Sequence, residues 1–383
     1  NDTNMNVVSF IAKQIPVSEK QITKTVALLD DGATIPFISR YRKEATGDLD
    51  EVAIGEIVKH KTAFEALQKR KESVLASIEE QGALTEVLAD KIHAAETLTQ
   101  VEDLYLPYKK KRKTSASVSK EQGLEPLAKI ILKQREEEIL FVALQYLNDT
   151  ITTEELALQG ARDIIAEWIN EDEKIRNRLR RLYQRKATIT STVIKTKKDE
   201  EEAQKYLQYF DWQEPLHKCP SHRLLAILRA ENEKVVRVKI TVPEDDALDI
   251  IDDVMIKTNV EACTDHMFLA ISDAYKRLLT PALSTEVLNQ AKEKADDKAI
   301  TVFAQNLKQL LLASPLGQKR ILALDPGFKS GCKVVCLDQQ GDLLHNENIY
   351  PHPPQRQTTE AIKKIRSLAN AYKIEAIAIG NGT

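Results

Sequence analysis

Asp325, in the segment DPGFKSG at residues 325–331, stands where a carboxylate could do chemistry. The apolar run Ile321 to Leu324 precedes it and a glycine turn follows, the form of an acid ending one strand before the chain enters the next. A carboxylate at a strand tip can hold a divalent metal. In-line phosphodiester cleavage, however, needs both attacking and leaving oxygens stabilised, and one carboxylate cannot do this. At the tip of the later strand EAIAIG, where a partner acid is expected, the sequence has Gly380 and Asn381. Asp325 is therefore read as a vestigial metal-site carboxylate, with no catalytic residue assigned. An ATP-binding phosphate loop is a weaker reading of the same motif, because a second phosphate loop and an adenosine pocket are lacking here.

Two basic clusters could bind phosphate. PYKKKRKTSASVSK carries Lys109, Lys110, Lys111, Arg112, Lys113 and Lys120 without an acid, beside Tyr105 and Tyr108. It is either a phosphate-binding loop or an ordinary solvated one. In KIRNRLRRLYQRK, residues 174–186, Lys174, Arg178, Arg181 and Arg185 fall on one helical face, while Ile175, Leu179 and Leu182 form the adjacent buried stripe. Those cations either face a nucleic acid or pair with acids such as Glu171 and Glu173 or with a neighbouring helix. A zinc site from His217, Cys219, His222, Cys263 and His266 is disfavoured, because real sites show tighter paired spacing. Cys219 and Cys263 are expected as small buried thiols and His222 as a hydrogen-bonded cap residue. No metal or cofactor is assigned.

The elements that must position these residues are mostly helices. Among 383 residues, 12 are Gly and 13 Pro, 42% are hydrophobic and 30% charged, which favours a soluble, helix-rich protein of more than one domain. A net charge of −3 means that any nucleic-acid surface must come from local clustering. Four cysteines are too few to staple such a chain, the opening residues lack a signal-peptide pattern, and no apolar run approaches the roughly 20 residues that cross a bilayer. A cytoplasmic protein without a membrane anchor is expected.

Ser18 with Gln21 forms a capping box for a first helix that stops at Gly32. Pro36 and Gly47 break the pattern before a long polar helix from about Glu51 to Gln81. Thr152 with Glu155, Ser221, and Ser284 or Thr285 mark further helix starts, the last run reaching Ala313. Residues 1 to about 315 thus read as helical, interrupted only by VVRVKITV at 235–242, a lone hairpin arm. After Pro315 and Gly317 come three short strands, a helix from Thr359 to Tyr372 and the strand EAIAIG. That order matches the first half of a ribonuclease H-like fold. The last strand should be central and need neighbours on both sides, so the complete protein is expected to continue beyond Thr383.

Several segments occur together and in order: LLDDGATIPFISRYRKEATGDLDEV, VEDLYLPYKKKRKT with GLEPLA, YFDWQEP before PSHRLLAILRAE, AYKRLLTP, ILALDPGFKSGCKVVCLD, IYPHPP and AIGNGT. From about residue 20 onward the chain resembles the Tex family of bacterial transcription accessory proteins. The resemblance implies a mainly α architecture, with a multi-helical body over residues 1–315 that contains a helix-turn-helix-like element. An incomplete α/β YqgF domain of ribonuclease H-like fold follows over 316–383. It also implies helix-hairpin-helix elements and an OB-fold RNA-binding domain beyond this chain, and a YqgF domain degenerate as a nuclease. The expected function is a non-catalytic scaffold that binds RNA, DNA or both, largely without sequence preference, with RNA polymerase or ribosome-associated components as further partners. A metal-dependent nuclease or resolvase using Asp325 and a protein-interaction platform are the alternatives. In the signature PFISRYRKE, Arg40, Arg42 and Lys43 either touch phosphate or brace helices by reaching nearby carbonyls or acids; bracing is the favoured reading, with Phe37, Ile38 and Tyr41 buried.

Overall fold

The computed structural model describes residues 6–109, 113–327 and 331–380. Two compact units divide the chain, Asn1–Ala299 and Ile300–Thr383.

The first unit opens with α1 (Val7–Ala12), α2 (Glu19–Asp30), α3 (Ile35–Tyr41), α4 (Lys43–Thr46), α5 (Glu51–Glu80), α6 (Glu86–Ala94) and α7 (Leu98–Tyr105). The Ser18–Gln21 capping box starts α2 as expected, although α1 precedes it. Asp50 caps α5 by accepting the Ala53 amide at 2.8 Å. These helices enclose one apolar core that includes Ile22, Ile38, Ile54, Ile57, Val74 and Val101. Each fully buried aliphatic side chain stabilises the fold by about 1.5–3 kcal/mol.

A second core follows, built by α8 (Ser115–Glu121), α9 (Glu125–Lys133), α10 (Ile139–Leu144), α11 (Glu154–Glu171) and α12 (Glu173–Lys186). The cap of α11 is Thr153, whose hydroxyl accepts the Leu156 amide at 3.3 Å, so the expected cap at Thr152 is one residue early. Gly160 lets the neighbouring segment approach α11 closely: a Cβ there would stand 2.3 Å from Leu124 Cδ1.

The expectation of helix up to residue 315 misses a sheet. β1 (Thr188–Val193) pairs antiparallel with both β2 (Asp211–Pro215) and β3 (Val236–Thr241), so β3 is the outer strand of three and no lone arm. Ile189 and Ser191 point inward, and the Ser191 hydroxyl is satisfied by the Tyr209 carbonyl at 2.7 Å. α13 (Ser221–Asn232), α14 (Glu244–Met255) and α15 (Glu261–Asp273) complete the core. A π-helical turn at Ala274–Leu279 then leads into α16 (Thr280–Leu311), which starts well before the expected Ser284. Pro281 explains the turn. A proline ring clashes with the carbonyl four residues back in a regular helix, and a widened turn makes room.

In the second unit, β4 (Ile321–Asp325), β5 (Cys332–Leu337) and β6 (Leu343–Ile349) form the meander, and α17 (Thr358–Ala371) leads to β7 (Ala376–Ile379). The strand order is β6-β5-β4-β7 and only β4 with β7 is parallel, the arrangement expected from the sequence. Leu322, Val334, Cys336 and Leu368 lie in its small core. Gly331, at φ +73°, leads into β5 where a Cβ would lie 2.6 Å from the Ile349 carbonyl oxygen.

Candidate nucleic-acid interface

The basic helix α12 is well specified. Asp172 caps it by accepting the Ile175 amide at 2.9 Å, Glu173 sits in its first turn, and Arg185 and Lys186 in its last oppose the helix dipole. Its cations divide into three groups by burial and partner.

Arg176 and Arg180, which the sequence pattern does not single out, are 8% and 9% exposed and converge on Asp103 of α7, itself 5% exposed. Arg176 Nε donates to Asp103 Oδ1 at 2.8 Å and Arg180 Nη2 to Asp103 Oδ2 at 2.9 Å. Arg180 Nη2 also donates to Glu286 of α16 at 3.2 Å. Burial opposes the Arg180 charge, but the bonds and charges of Glu286 and Asp103 prevail and hold its pKa above the ordinary value. Two cations and two anions thus join α7, at the edge of the front core, to α12 and α16 of the second. The available signal was the four-residue spacing of Arg176 and Arg180 around the buried Leu179.

A second group is tied to α14. Arg178 pairs with Asp253, Lys186 with Asp246 at 2.6 Å, and Lys174, though exposed, adds to the field at Asp253. These partners lie on a neighbouring helix, one of the two sources expected, while Glu173 lies 3.6 Å from Lys91.

Arg181 and Arg185 form the third group. Both are exposed and neither has an ion pair among the described residues; Arg185 Nε donates to the Arg181 carbonyl at 3.4 Å. Between them Gln184 borders a cleft of about 530 Å³, whose lining includes His217, Ser221, Gln290 and Lys294 and contains no acid.

In the other basic cluster, Lys109 and Lys113 are exposed, while Lys110, Lys111 and Arg112 lie outside the described residues. Lys120 turns away to Glu167 at 2.9 Å. Of Arg40, Arg42 and Lys43, for which bracing is the favoured reading, Arg42 reaches the Tyr41 carbonyl at 3.0 Å. All three are exposed and none has an ion pair among the described residues, and of Phe37, Ile38 and Tyr41 only Ile38 is buried.

No group of three or more His, Cys, Asp or Glu among the described residues is placed to hold a metal. Cys263 is buried, and its thiol donates to the Glu136 carbonyl at 3.1 Å. Cys219 is only half-buried, yet burial, then the neighbouring Glu214, pushes its thiol up to about 12. His222 is exposed rather than a hydrogen-bonded cap, and Pro220 precedes α13. Asp325 is exposed at the tip of β4, and a Cβ on Gly380 would stand 3.7 Å from its Oδ1. The corner where a second carboxylate would meet Asp325 is thus held by a glycine.

Three family models match in chain order: the Tex-like protein N-terminal domain over residues 5–79, the Tex central region-like model over 135–303, and the Tex protein YqgF-like domain over 319–383. The chain belongs to the Tex family. Its relatives include Transcriptional accessory protein Tex of Neisseria gonorrhoeae, 39% identical over 99% of this chain and 50% of the relative. Protein YdcI of Bacillus subtilis is 40% identical over 100% and 53%. Human S1 RNA-binding domain-containing protein 1 is 27% identical over 100% of this chain and 39% of its own length. This Tex-family chain spans about half the length of the bacterial relatives. No described helix is long and apolar enough to cross a membrane.

Proposed function

We propose that this protein is a non-catalytic nucleic-acid-binding scaffold of transcription, acting in the cytoplasm. It holds RNA or DNA mainly by backbone phosphates. The observation that carries this reading is the division of labour on α12: Arg176 and Arg180 are consumed by the fold, while Arg181 and Arg185 stay exposed, without an ion pair among the described residues, on either side of Gln184 at a cleft whose lining has no acid. Cations that no intramolecular acid neutralises are available for phosphate, and their contacts carry no sequence information. A helical body over 1–315 and a YqgF domain over 316–383 are the functional division that goes with it. RNA polymerase or ribosome-associated components would be the proteins so brought to the nucleic acid. The names of the Neisseria relative and of the human S1 protein support the assignment to transcription and to RNA.

The test is binding of labelled single- and double-stranded RNA and DNA across a salt series. For single strands, R181E/R185E should weaken binding and lower the slope of log affinity against log salt by about 1.4, roughly 0.7 per lost phosphate contact. Unchanged affinity and slope would remove α12 from the interface. The nuclease reading retains one observation in its favour, the exposed strand-tip carboxylate Asp325. Metal-dependent cleavage abolished by Asp325→Asn would establish it.

A further inference from the structure

The segment expected to be packed inward, PFISRY, leaves its rings outside. Phe37 is 39% exposed and Tyr41 67%, and Tyr41 is the one exposed tyrosine of the ten in the chain. The two lie four residues apart on α3, with ring centroids 5.5 Å apart and planes tilted by 45°. The helix beneath them is firmly set. Thr34 caps it, Pro36 fixes its first turn, and Ile38 and Ser39 are buried. Arg42 ends α3, donates from Nη1 to the Tyr41 carbonyl at 3.0 Å, and lays its guanidinium 5.0 Å from the Phe37 ring centroid. One cation and two rings thus form a joint π-surface, with exposed Arg40 and Lys43 beside it and Glu44 as the adjacent acid.

We propose that this surface is a stacking platform for unpaired bases of a single-stranded nucleic acid, the strand's phosphates resting on Arg40 and Lys43. The inference rests on the nucleic-acid-binding reading above and adds a second, chemically different contact region. Rings give a base-indifferent stacking surface, because every base has a π-face, while cations take the backbone between bases. A duplex is a poor fit, since its bases already stack on one another. Charge complementarity selects the occupant: Arg40, Arg42 and Lys43, none with an ion pair among the described residues, flank Tyr41 in sequence, in a chain whose net charge is −3.

The experiment uses the 383-residue chain and fluorescein-labelled 12-nucleotide oligouridylate and oligothymidylate, followed by anisotropy. Y41A should weaken binding about thirtyfold, the middle of the range for losing one stacked base, without changing the salt slope. Y41F should bind as the wild type does, because the ring and not the hydroxyl is used. Equal melting temperatures of Y41A and wild type establish that the fold is intact. Irradiation of a 5-iodouridine oligomer bound to the wild type gives a second readout, with the expected adduct on Tyr41. If Y41A binds like the wild type and R181E/R185E does not, the platform is wrong and the scaffold function stands. Adducts only at other residues overturn the platform too. Failure of the wild type to bind either oligomer below about 100 µM, the weak end of non-specific binding, overturns both readings.

Discussion

Asp103 is a buried carboxylate whose two oxygens each face a different buried guanidinium, and the front and second cores meet around it. Asp103→Ala leaves Arg180 with Glu286 and Arg176 with the neutral Asn170, and removing one partner of such a network costs about 3–5 kcal/mol. Denaturant titration should show that loss, whereas Arg178→Ala, on a partly exposed pair, should cost under about 1 kcal/mol. His266 gives a pH test. Arg162 Nη1 lies 2.9 Å from His266 Nδ1; arginine can only donate, so Nδ1 accepts and the neutral ring carries its proton on Nε2. Burial, then Arg162, holds the His266 pKa below its ordinary value, against the weaker pull of Glu155 and Asp265. The unfolded chain therefore takes up a proton near pH 6.5 that the folded chain refuses. The contribution is complete above that pH and is lost as pH falls below it. Melting temperature should drop between pH 7.5 and 5.5, and His266→Gln, which keeps an acceptor but cannot titrate, should flatten that part of the drop. At this scale the sequence was misleading about which arginines are free. Arg176, Arg178, Arg180 and Arg181 have the same chemistry, and only the packing partners of α12 separate them.

Helices were legible where capping chemistry and spacing agreed, as in α2 and α5, and were displaced where two candidate caps stood side by side. Thr153, not Thr152, binds the amide three residues on, so Thr153→Ala should cost about 1 kcal/mol and Thr152→Ala within about 0.5 kcal/mol of nothing, read from paired melts. Gly160→Ala, although it improves helix propensity, should destabilise by about 1–3 kcal/mol, because the new methyl meets Leu124 at 2.3 Å. The three-stranded sheet was missed for a physical reason. β1 reads TITSTV, with the polar Ser191 between Ile189 and Val193 on its inward face, and β2 reads DWQEP, without a β-branched residue. Their stability comes from pairing across long sequence separations, which local pattern does not register. The exposed rings of α3 were unreadable in the same way, since Phe and Tyr at helical spacing predict burial unless the neighbouring surface is known.

On the scale of the whole chain, the second unit was the most legible. Its short strands alternate, turn at glycine and match the observed order β6-β5-β4-β7. The placing of Gly380 beside Asp325 was legible too, at adjacent tips of parallel strands, where a Cβ on Gly380 would stand 3.7 Å from the carboxylate. What the chain binds was legible only as a count of cations. The fold decides which of them are spent, and this has a practical side. Asp103, Arg176 and Arg180 are buried, where added ions screen little, whereas Arg181, Arg185 and the α3 cations face solvent, where about 1 M salt shortens the Debye length to about 3 Å. Ionic strength should therefore act as a selective solvent: a high-salt wash strips co-purifying nucleic acid from the surface and leaves the seam between the cores closed.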